Sequence, residues 1–312
     1  MRIILYYKQI GDKIVDNLEN NLKIVDKSFV VEAFHKENFQ ISDEKAELLL
    51  HFYELLIQKN RVMNLTGITE FTQVVYKHFL DSVYGWKVMN SINGDGLTDR
   101  AGDDCLTSIS VIDVGTGAGF PGIPLKICYP GLNMTLMDSL NKRVGFLNEV
   151  IEELALTDIR TVHSRAEDLG RNPEYREQFD VAVSRAVADL AVLSEYCLPF
   201  VKTGGRFISY KGGNVEEELN RSKKAIEMLG GRVADVKYFS YDVKTACRDV
   251  KKKNVQQDDI RPKDVYEKNV PENGEETCRR SLVVIEKIKE TAKKYPRKAG
   301  TPGKMPLGRK II

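Results

Sequence analysis

Residues 111–122 read Val111-Ile112-Asp113-Val114-Gly115-Thr116-Gly117-Ala118-Gly119-Phe120-Pro121-Gly122, a short apolar run that leads into a glycine-rich turn. The apolar run Ile109–Val114 predicts a buried strand. Pro124 suits the first turn of a following helix, where its missing N–H costs nothing. Glycines between a strand and a helix let the backbone bend sharply and approach a ligand closely. The stretch therefore predicts a nucleotide-binding turn of an α/β sheet.

The chain after this turn alternates apolar runs with amphipathic stretches. Further strands are predicted at Asn133–Met137, Ile159–His163, Phe179–Ser184, Gly205–Tyr210, Arg232–Tyr241 and Leu282–Glu286. Helices are predicted between them, at Lys142–Ala155, Asp189–Leu198 and Asn214–Leu229. Strands separated by helices of this length imply a parallel, doubly wound sheet. We therefore predict an α/β fold with a mostly parallel, seven-stranded, Rossmann-like sheet.

Composition divides the rest of the chain into regions. The sheet domain is predicted to span residues 109–290, with a charged, aperiodic insertion at 242–278. Residues 42–90 predict a helical region whose first helix is capped by Ser42, whereas residues 1–41 are poorly determined and residues 91–108 form a linker. Residues 291–312 form a basic C-terminal tail. From Arg279 to Ile312 the chain has eleven basic and two acidic residues, which suggests a polyanionic partner or a solvated tail.

Cysteine usage and hydropathy bear on location and metal binding. The five cysteines are dispersed with no CxxC pair, and the four histidines are scattered, so we expect no metal site and a reduced environment. The opening apolar stretch is too short for the core of a signal peptide, and no stretch approaches the length of a membrane span. We therefore expect a cytoplasmic protein without membrane association. The sequence leaves the oligomeric state open.

Two cofactors compete for the glycine-rich turn. Residues 117–122 match GxGxxG, the fingerprint for NAD-type dinucleotides, but a lone match is weak. The first glycine after the strand is Gly115, two positions beyond an acidic residue, Asp113. A dinucleotide turn must offer helix N–H groups to a pyrophosphate. S-adenosylmethionine instead carries an ammonium and a sulfonium and has no phosphate, so nearby carboxylates favour it.

Three carboxylates follow successive predicted strands. Asp113 lies at the end of the first strand, Asp138 follows the second, and Glu167 comes just after the third. Asp138 is placed to accept hydrogen bonds from ribose hydroxyls, and Glu167 to border an adenine. Each alone could be a helix-capping or loop charge. Their order favours S-adenosylmethionine, and an NAD(P)-dependent oxidoreductase stays the alternative.

The motifs together resemble a known family, the RsmG/GidB family of 16S ribosomal RNA guanine-N7 methyltransferases. The resemblance covers about residues 42 to 307 and is carried by Asn64–Thr66, His78–Ser82, Asp113–Leu125, Asp138–Arg143, Phe146-Leu147, Ser164–Glu167, Ser184–Ala186, Lys211-Gly212 and Tyr295–Pro302. It implies the fold of a class I S-adenosylmethionine-dependent methyltransferase with an N-terminal helical extension. It also implies methyl transfer from S-adenosylmethionine to N7 of a guanine, with 16S rRNA or the small ribosomal subunit as partner.

The resemblance places cofactor contacts on particular residues. These are Gly115, Phe120, Ala166, Glu167 and Arg185, to which the turn and strand ends add Gly117, Gly119, Asp113 and Asp138. Guanine N7 carries a lone pair and no proton, so no general base is expected. Arg185 is then the catalytic candidate, positioning the cofactor or the target guanine, and a structural salt bridge is the alternative role for this residue. His78 and Asp81 are expected to serve in the core rather than to buttress the site.

Basic residues are the candidates for RNA contact. Phosphate contacts are predicted for Lys142, Arg143, Lys211, Lys293, Lys294, Arg297, Lys298 and Lys304. For the first three, a solvated surface position is an equal alternative. The proline and glycine residues among the last five suggest an extended tail that orders on RNA. A noncatalytic rRNA-binding or ribosome assembly factor is the other alternative, and the intact turn argues against it.

Overall fold

The structure is a computed structural model that describes residues 26–89, 109–185, 188–242 and 277–308. One seven-stranded sheet has the order β3-β2-β1-β4-β5-β7-β6. Its strands are β1 (Ser110–Val114), β2 (Asn133–Asp138), β3 (Ile159–His163), β4 (Phe179–Arg185), β5 (Val201–Gly212), β6 (Gly231–Asp242) and β7 (Thr277–Lys287). Neighbouring strands are parallel from β3 to β5, and β7 is antiparallel to both β5 and β6. The predicted fold class is confirmed.

Helices cover the sheet and precede it. They are α1 (Lys27–Lys36), α2 (Asp43–Met63), α3 (Phe71–Val74), α4 (Asp81–Val83), α5 (Trp86–Met89), α6 (Gly122–Cys128), α7 (Asn141–Glu153), α8 (Ala166–Leu169), α9 (Leu190–Cys197), α10 (Glu216–Met228) and α11 (Thr301–Lys304). A π-helical turn, Val75–Leu80, joins α3 to α4. None of the described helices has the length and apolar character needed to cross a bilayer.

The strand β1 lies in the middle of the parallel part of the sheet. Residues 111–114 are fully buried, as expected for a strand with parallel neighbours on both sides and helices on both faces. The N–H groups of Gly115 and Thr116 both donate to Met137 O of β2, at 2.9 and 3.1 Å. The turn after β1 therefore passes over the end of β2, and the carboxyl ends of β1, β2 and β4 share one edge. Ligands bind at this edge in open α/β sheets.

The N-terminal helices pack against the turn rather than standing apart from the sheet. The apolar face of α2 is buried, and the Phe52 ring lies 5.3 Å from the Phe120 ring of the turn. Ser42 caps α2 as predicted, since its Oγ accepts a hydrogen bond from Lys45 N at 3.3 Å. The helical region begins earlier than predicted, because α1 lies within residues 1–41.

Within the predicted helical region at residues 42–90, the stretch from Glu70 to Trp86 is not one regular helix. The π-helical turn separates α3 from α4, and α5 follows as a further short helix. A π-helical turn closes its hydrogen bonds one residue later than an α-helix does and is frequent at functional sites. Residues 75, 76, 78, 79 and 80 of the turn are all buried, so apolar periodicity does not reveal it.

The prediction of an extended C-terminal tail was wrong. Arg297 donates to both carboxylate oxygens of the fully buried Glu195 of α9, with Nη2–Oε2 at 2.7 Å. Arg176 donates to Tyr295 O at 2.8 Å, and the Tyr295 side chain is buried. A buried carboxylate requires such a partner, so these residues hold the C-terminal segment on the domain. Residues 1–25, the linker at 91–108 and residues 243–276 of the insertion lie outside the described residues.

Asp113 connects β1 to the helix that follows the turn. Its carboxylate is fully buried, and Oδ2 accepts hydrogen bonds from Thr116 Oγ1 at 2.7 Å and from Gly122 N at 2.9 Å. Among the described residues Oδ1 has no hydrogen-bond partner. Burial raises the pKa of Asp113 to about 7, against the opposing effect of its two donors. Asp113 thus caps α6 beneath the turn, which is the alternative role that the sequence left open.

We expect Asp113→Asn to change how stability depends on pH. A pKa raised from 3.8 to about 7 means that the contribution of Asp113 to stability is full below pH 3.8 and is lost as the pH rises through 7. The whole loss corresponds to about 4 kcal/mol, of which about 3 kcal/mol falls between pH 5 and pH 8. Asparagine does not titrate, so urea unfolding at pH 5 and pH 8 should show a steeper loss for the wild type than for the variant. Parallel pH profiles would contradict the raised pKa.

Candidate cofactor and active site

Two cavities lie side by side at the carboxyl edge of the sheet. One is about 600 Å³ and the other about 380 Å³, and both are lined by Gly115 and Ser139. The larger, here called the outer cavity, is bounded by residues 164–167, by α9 and by the C-terminal segment. The smaller, here called the inner cavity, is bounded by the turn after β1, by Asp138 and by Arg185. A crevice of about 650 Å³ between α1 and α2 contains none of the predicted site residues.

The glycines of the turn have different tasks. Gly115, Gly117 and Gly119 have φ values of 73°, 62° and 96°, a region that favours glycine. A Cβ on Gly119 would lie 2.6 Å from Ile123 Cγ1, so this residue is required for packing against α6. A Cβ on Gly117 would meet no atom within 4 Å, and Gly117 lines the inner cavity. Gly115 and Gly117 therefore leave room for a ligand next to the backbone.

Asp138 ties the turn to the end of β2. It is almost fully buried, and its Oδ2 accepts from Gly117 N at 3.0 Å while Oδ1 accepts from Leu140 N at 2.8 Å. Arg143 Nη1 lies 3.4 Å from Oδ2, a looser contact. Each carboxylate oxygen has more than one acceptor site. Asp138 can hold the turn and still accept a hydroxyl from a ligand in the inner cavity.

The hydrogen bonds of the turn distinguish between its possible ligands. Gly122 N, at the start of α6, donates to Asp113, and Gly117 N donates to Asp138. A pyrophosphate needs free N–H groups at the start of the helix. Here Gly122 N is taken by Asp113 and Gly117 N by Asp138, so neither is free for a pyrophosphate, and a carboxylate at Asp138 would repel a pyrophosphate and attract a cation. The geometry favours S-adenosylmethionine over a dinucleotide.

Glu167 and the C-terminal segment form the far wall of the outer cavity. Glu167 is 6% exposed, and its Oε1 accepts from Gly300 N at 2.8 Å. Ala166 lines the cavity beside it, and Gly303 and Pro306 line the opposite side. The sequence placed Glu167 at the cavity but missed the C-terminal segment. The signal in the sequence that could have indicated this segment is the run Gly-Thr-Pro-Gly at residues 300–303. It forms the start of the short helix α11.

Arg185 reaches the inner cavity from the end of β4. Its Nη1 donates to Asp81 Oδ2 at 3.0 Å and to Lys77 O at 3.1 Å. Its guanidinium carbon lies 5.0 Å from the centre of the Phe120 ring. The sequence assigned Asp81 to the core, whereas its carboxylate pairs with the candidate catalytic residue.

His78 completes the surroundings of Arg185. Its ring stacks on Phe120 at 4.4 Å, Nδ1 lies 3.2 Å from Arg185 Nη2, and Nε2 lies 2.9 Å from Thr66 Oγ1. Burial and the neighbouring Arg185 cation lower the pKa of His78 to about 3. The imidazole is therefore neutral at physiological pH, and both of its nitrogens contact neighbouring polar atoms.

The predicted RNA-binding residues fall into two groups. Lys211 and Arg297 are used within the fold: Lys211 Nζ lies 2.7 Å from Glu218 and is 11% exposed, and Arg297 pairs with Glu195. Both side chains are partly buried and already paired within the fold, so their contact with RNA phosphates stays a prediction. Arg143 is half-buried beside Asp138. The exposed members of the set are Lys142, Lys293, Lys294, Lys298 and Lys304.

Comparison with known proteins agrees with this geometry. The family model described as rRNA small subunit methyltransferase G matches residues 45–250. Proteins named ribosomal RNA small subunit methyltransferase G are 43% identical to the chain in Lachnoclostridium phytofermentans (91% of this chain, 99% of the relative) and 44% identical in Alkaliphilus metalliredigens (86% and 93%). A third, from Lactobacillus acidophilus, is 42% identical (89% and 98%). The chain belongs to the rRNA small subunit methyltransferase G family.

Proposed function

We propose that this chain transfers the methyl group of S-adenosylmethionine to N7 of a guanine in 16S rRNA. The observation that carries the proposal is the hydrogen bonding of the turn after β1. Its N–H groups donate hydrogen bonds to Asp113 and Asp138, and the turn borders a cavity that Arg185 also lines. The names of the relatives support small-subunit rRNA as the substrate. The choice of guanine N7 follows from the family resemblance.

The residues around the two cavities suit the parts of the cofactor. When bound, S-adenosylmethionine supplies an electrophilic methyl group on a sulfonium. Asp138 is placed to accept hydrogen bonds from its ribose hydroxyls, and Ala166 and Glu167 border the outer cavity, where we place the adenine. Gly115 lines both cavities, so its backbone lies between the two halves of the cofactor.

The inner cavity is suited to a nucleophile that has no proton to lose. His78 is neutral and both of its nitrogens contact Thr66 or Arg185, while both oxygens of Asp138 accept hydrogen bonds. Neither has to act as a base, because guanine N7 attacks through its lone pair. Catalysis then depends on positioning.

Arg185 is the residue we place against the target guanine or the cofactor. Within the described part of the chain, two of its five N–H bonds are directed at Lys77 O and Asp81, and a third, on Nη2, faces His78 Nδ1 at 3.2 Å, a hydrogen bond in the His78 tautomer that is protonated on Nε2. The remaining two, on Nη2 and Nε, are available to donate to guanine O6 or to a cofactor carboxylate. Arg185 cannot hold N7 itself during transfer, because the N7 lone pair attacks the methyl group.

The product of the reaction tests the proposal directly. Small-subunit rRNA and assembled 30S subunits, both from cells that lack this protein, should each be incubated with the enzyme and tritiated S-adenosylmethionine. We expect 7-methylguanosine after nuclease digestion and mass spectrometry. Methyl transfer to another guanine atom or to a ribose hydroxyl would exclude N7 as the target. No incorporation into either substrate would favour a noncatalytic assembly factor.

Cofactor binding should depend on Glu167. We expect Glu167→Ala to weaken binding of S-adenosylhomocysteine by about tenfold or more, because a charged hydrogen bond to Gly300 N is lost at the cavity wall. Glu167→Gln keeps an acceptor for this N–H and is the matched control. Calorimetric titration of all three proteins measures the effect. NADH, titrated into the wild type, should not bind. If NADH binds, and if Glu167→Ala binds S-adenosylhomocysteine as tightly as the wild type does, the oxidoreductase would be favoured.

Exposed lysines beside the outer cavity should contribute to RNA binding. Lys298 and Lys304 flank Gly300 and Gly303, which line that cavity. We expect replacing both by alanine to weaken binding to rRNA and to reduce the slope of log K against log salt by about 1.5 to 2. Binding of S-adenosylhomocysteine should be unchanged. Lys237→Ala, on the edge strand β6, is the control; an equal loss in this variant would show a nonspecific charge effect.

A further inference from the structure

We propose that Asp81 and Arg280 are positioning residues that fix the guanidinium of Arg185 at the inner cavity. This inference rests on the proposed function for its activity measurement. Asp81 bridges two arginines, with Oδ2 lying 3.0 Å from Arg185 Nη1 and Oδ1 lying 3.0 Å from Arg280 Nε. The three side chains come from α4, from the end of β4 and from the start of β7.

Burial fixes which oxygen of Asp81 faces which arginine. The side chain of Asp81 is 4% exposed, that of Arg185 14% and that of Arg280 27%. A carboxylate removed from water to this degree requires donors on both oxygens. Arg280 satisfies Oδ1, which leaves Oδ2 directed at Arg185. Without Arg280, Oδ1 of Asp81 would lose its donor. The carboxylate could then rotate, and Oδ2 would no longer be held towards Arg185.

The π-helical turn provides a further anchor. Lys77 lies within this turn, and its carbonyl oxygen accepts from Arg185 Nη1 at 3.1 Å. Both hydrogens of Nη1 are therefore directed at fixed acceptors, one on the backbone and one on Asp81. Asp81 is the first residue after the turn. The irregular helix thus presents a carbonyl and a carboxylate together to one guanidinium nitrogen.

The neighbouring contacts hold α4 itself against the sheet. Tyr210 Oη, on β5, donates to Ser82 O at 2.7 Å, and Ser82 Oγ donates to His78 O of the π-helical turn. Both Tyr210 and Ser82 are buried. Asp81 is therefore placed by the backbone of α4, and its own carboxylate is left to orient Arg185. This separation allows its effect on catalysis to be distinguished from an effect on folding.

A double-mutant cycle tests the inference. Asp81→Asn and Arg280→Gln should each lower kcat by about 10- to 100-fold, because a misplaced catalytic group costs rate at this scale. In an Arg185→Gln background, either substitution should change the rate by less than about twofold, since both act through Arg185. Losses that multiply in that background would show an independent, structural role and overturn the proposal.

A matched control separates positioning from stability. Glu177→Gln alters another partly buried ion pair, with Lys287, whose residues line neither cavity. We expect it to lower the melting temperature without lowering kcat. Arg280 is the most exposed of the three residues, so Arg280→Gln serves if Asp81→Asn does not fold. A loss of kcat in Glu177→Gln equal to that in Arg280→Gln would also overturn the proposal.

A structural measurement keeps the inference independent of the proposed function. In a crystal structure of Arg280→Gln, the Arg185 guanidinium should occupy more than one position or leave Asp81. A single conformer with the wild-type contacts to Asp81 and Lys77 would refute the positioning role whatever reaction the protein catalyses. Absence of 7-methylguanosine with the wild type would instead refute the proposed function.

Discussion

A buried carboxylate must receive hydrogen bonds or a positive charge, and this requirement organises the functional edge of the protein. The buried acidic residues of the described chain are Asp81, Asp113, Asp138, Glu167 and Glu195. Each accepts from a segment other than its own element, so each joins two parts of the chain. The turn after β1, the N-terminal helices and the C-terminal segment are all fixed to the sheet in this way. The two cavities lie between the segments that these carboxylates hold together.

The sheet could be predicted from the sequence because its signals are local. Apolar runs, glycine turns and helical periodicity predicted β2 (Asn133–Asp138) and α10 (Glu216–Met228) to within two residues, whereas β5 and β7 begin four and five residues earlier than predicted. The π-helical turn was missed because its residues are buried almost without interruption. The fold of the C-terminal segment was also missed. Its basic residues look solvated until the buried partner of Arg297 is known, and Glu195 lies 102 residues away in sequence.

The candidate residues named from the sequence are gathered around two cavities in the structure, but their individual contacts could not be predicted. Gly115, Gly117, Asp138, Ala166, Glu167 and Arg185 all line the two cavities, whereas Asp113 and Gly119 lie beneath the turn. Motif spacing cannot separate a residue that faces the ligand from one that shapes the turn, because both follow the same strand. The pairing of Arg185 with Asp81 depends on contacts between residues 104 positions apart. The interpretation of Asp81 as a core residue described its burial and missed its partner.

The proposed function requires this edge to serve two ligands of opposite charge, since S-adenosylmethionine carries a cationic sulfonium and RNA is a polyanion. The acidic and the basic side chains of this edge differ in their burial. Carboxylates are buried at the floor and walls of the cavities, whereas Lys142, Lys298 and Lys304 are exposed. Interactions within the protein are screened much less than those at the surface. In the proposed function the carboxylates therefore act over short distances on a ligand inside the cavity, and the lysines attract phosphates from solvent without cancelling that effect. Arg185 lies between the two layers, where its charge is partly neutralised by Asp81 and its remaining N–H groups are left to define geometry.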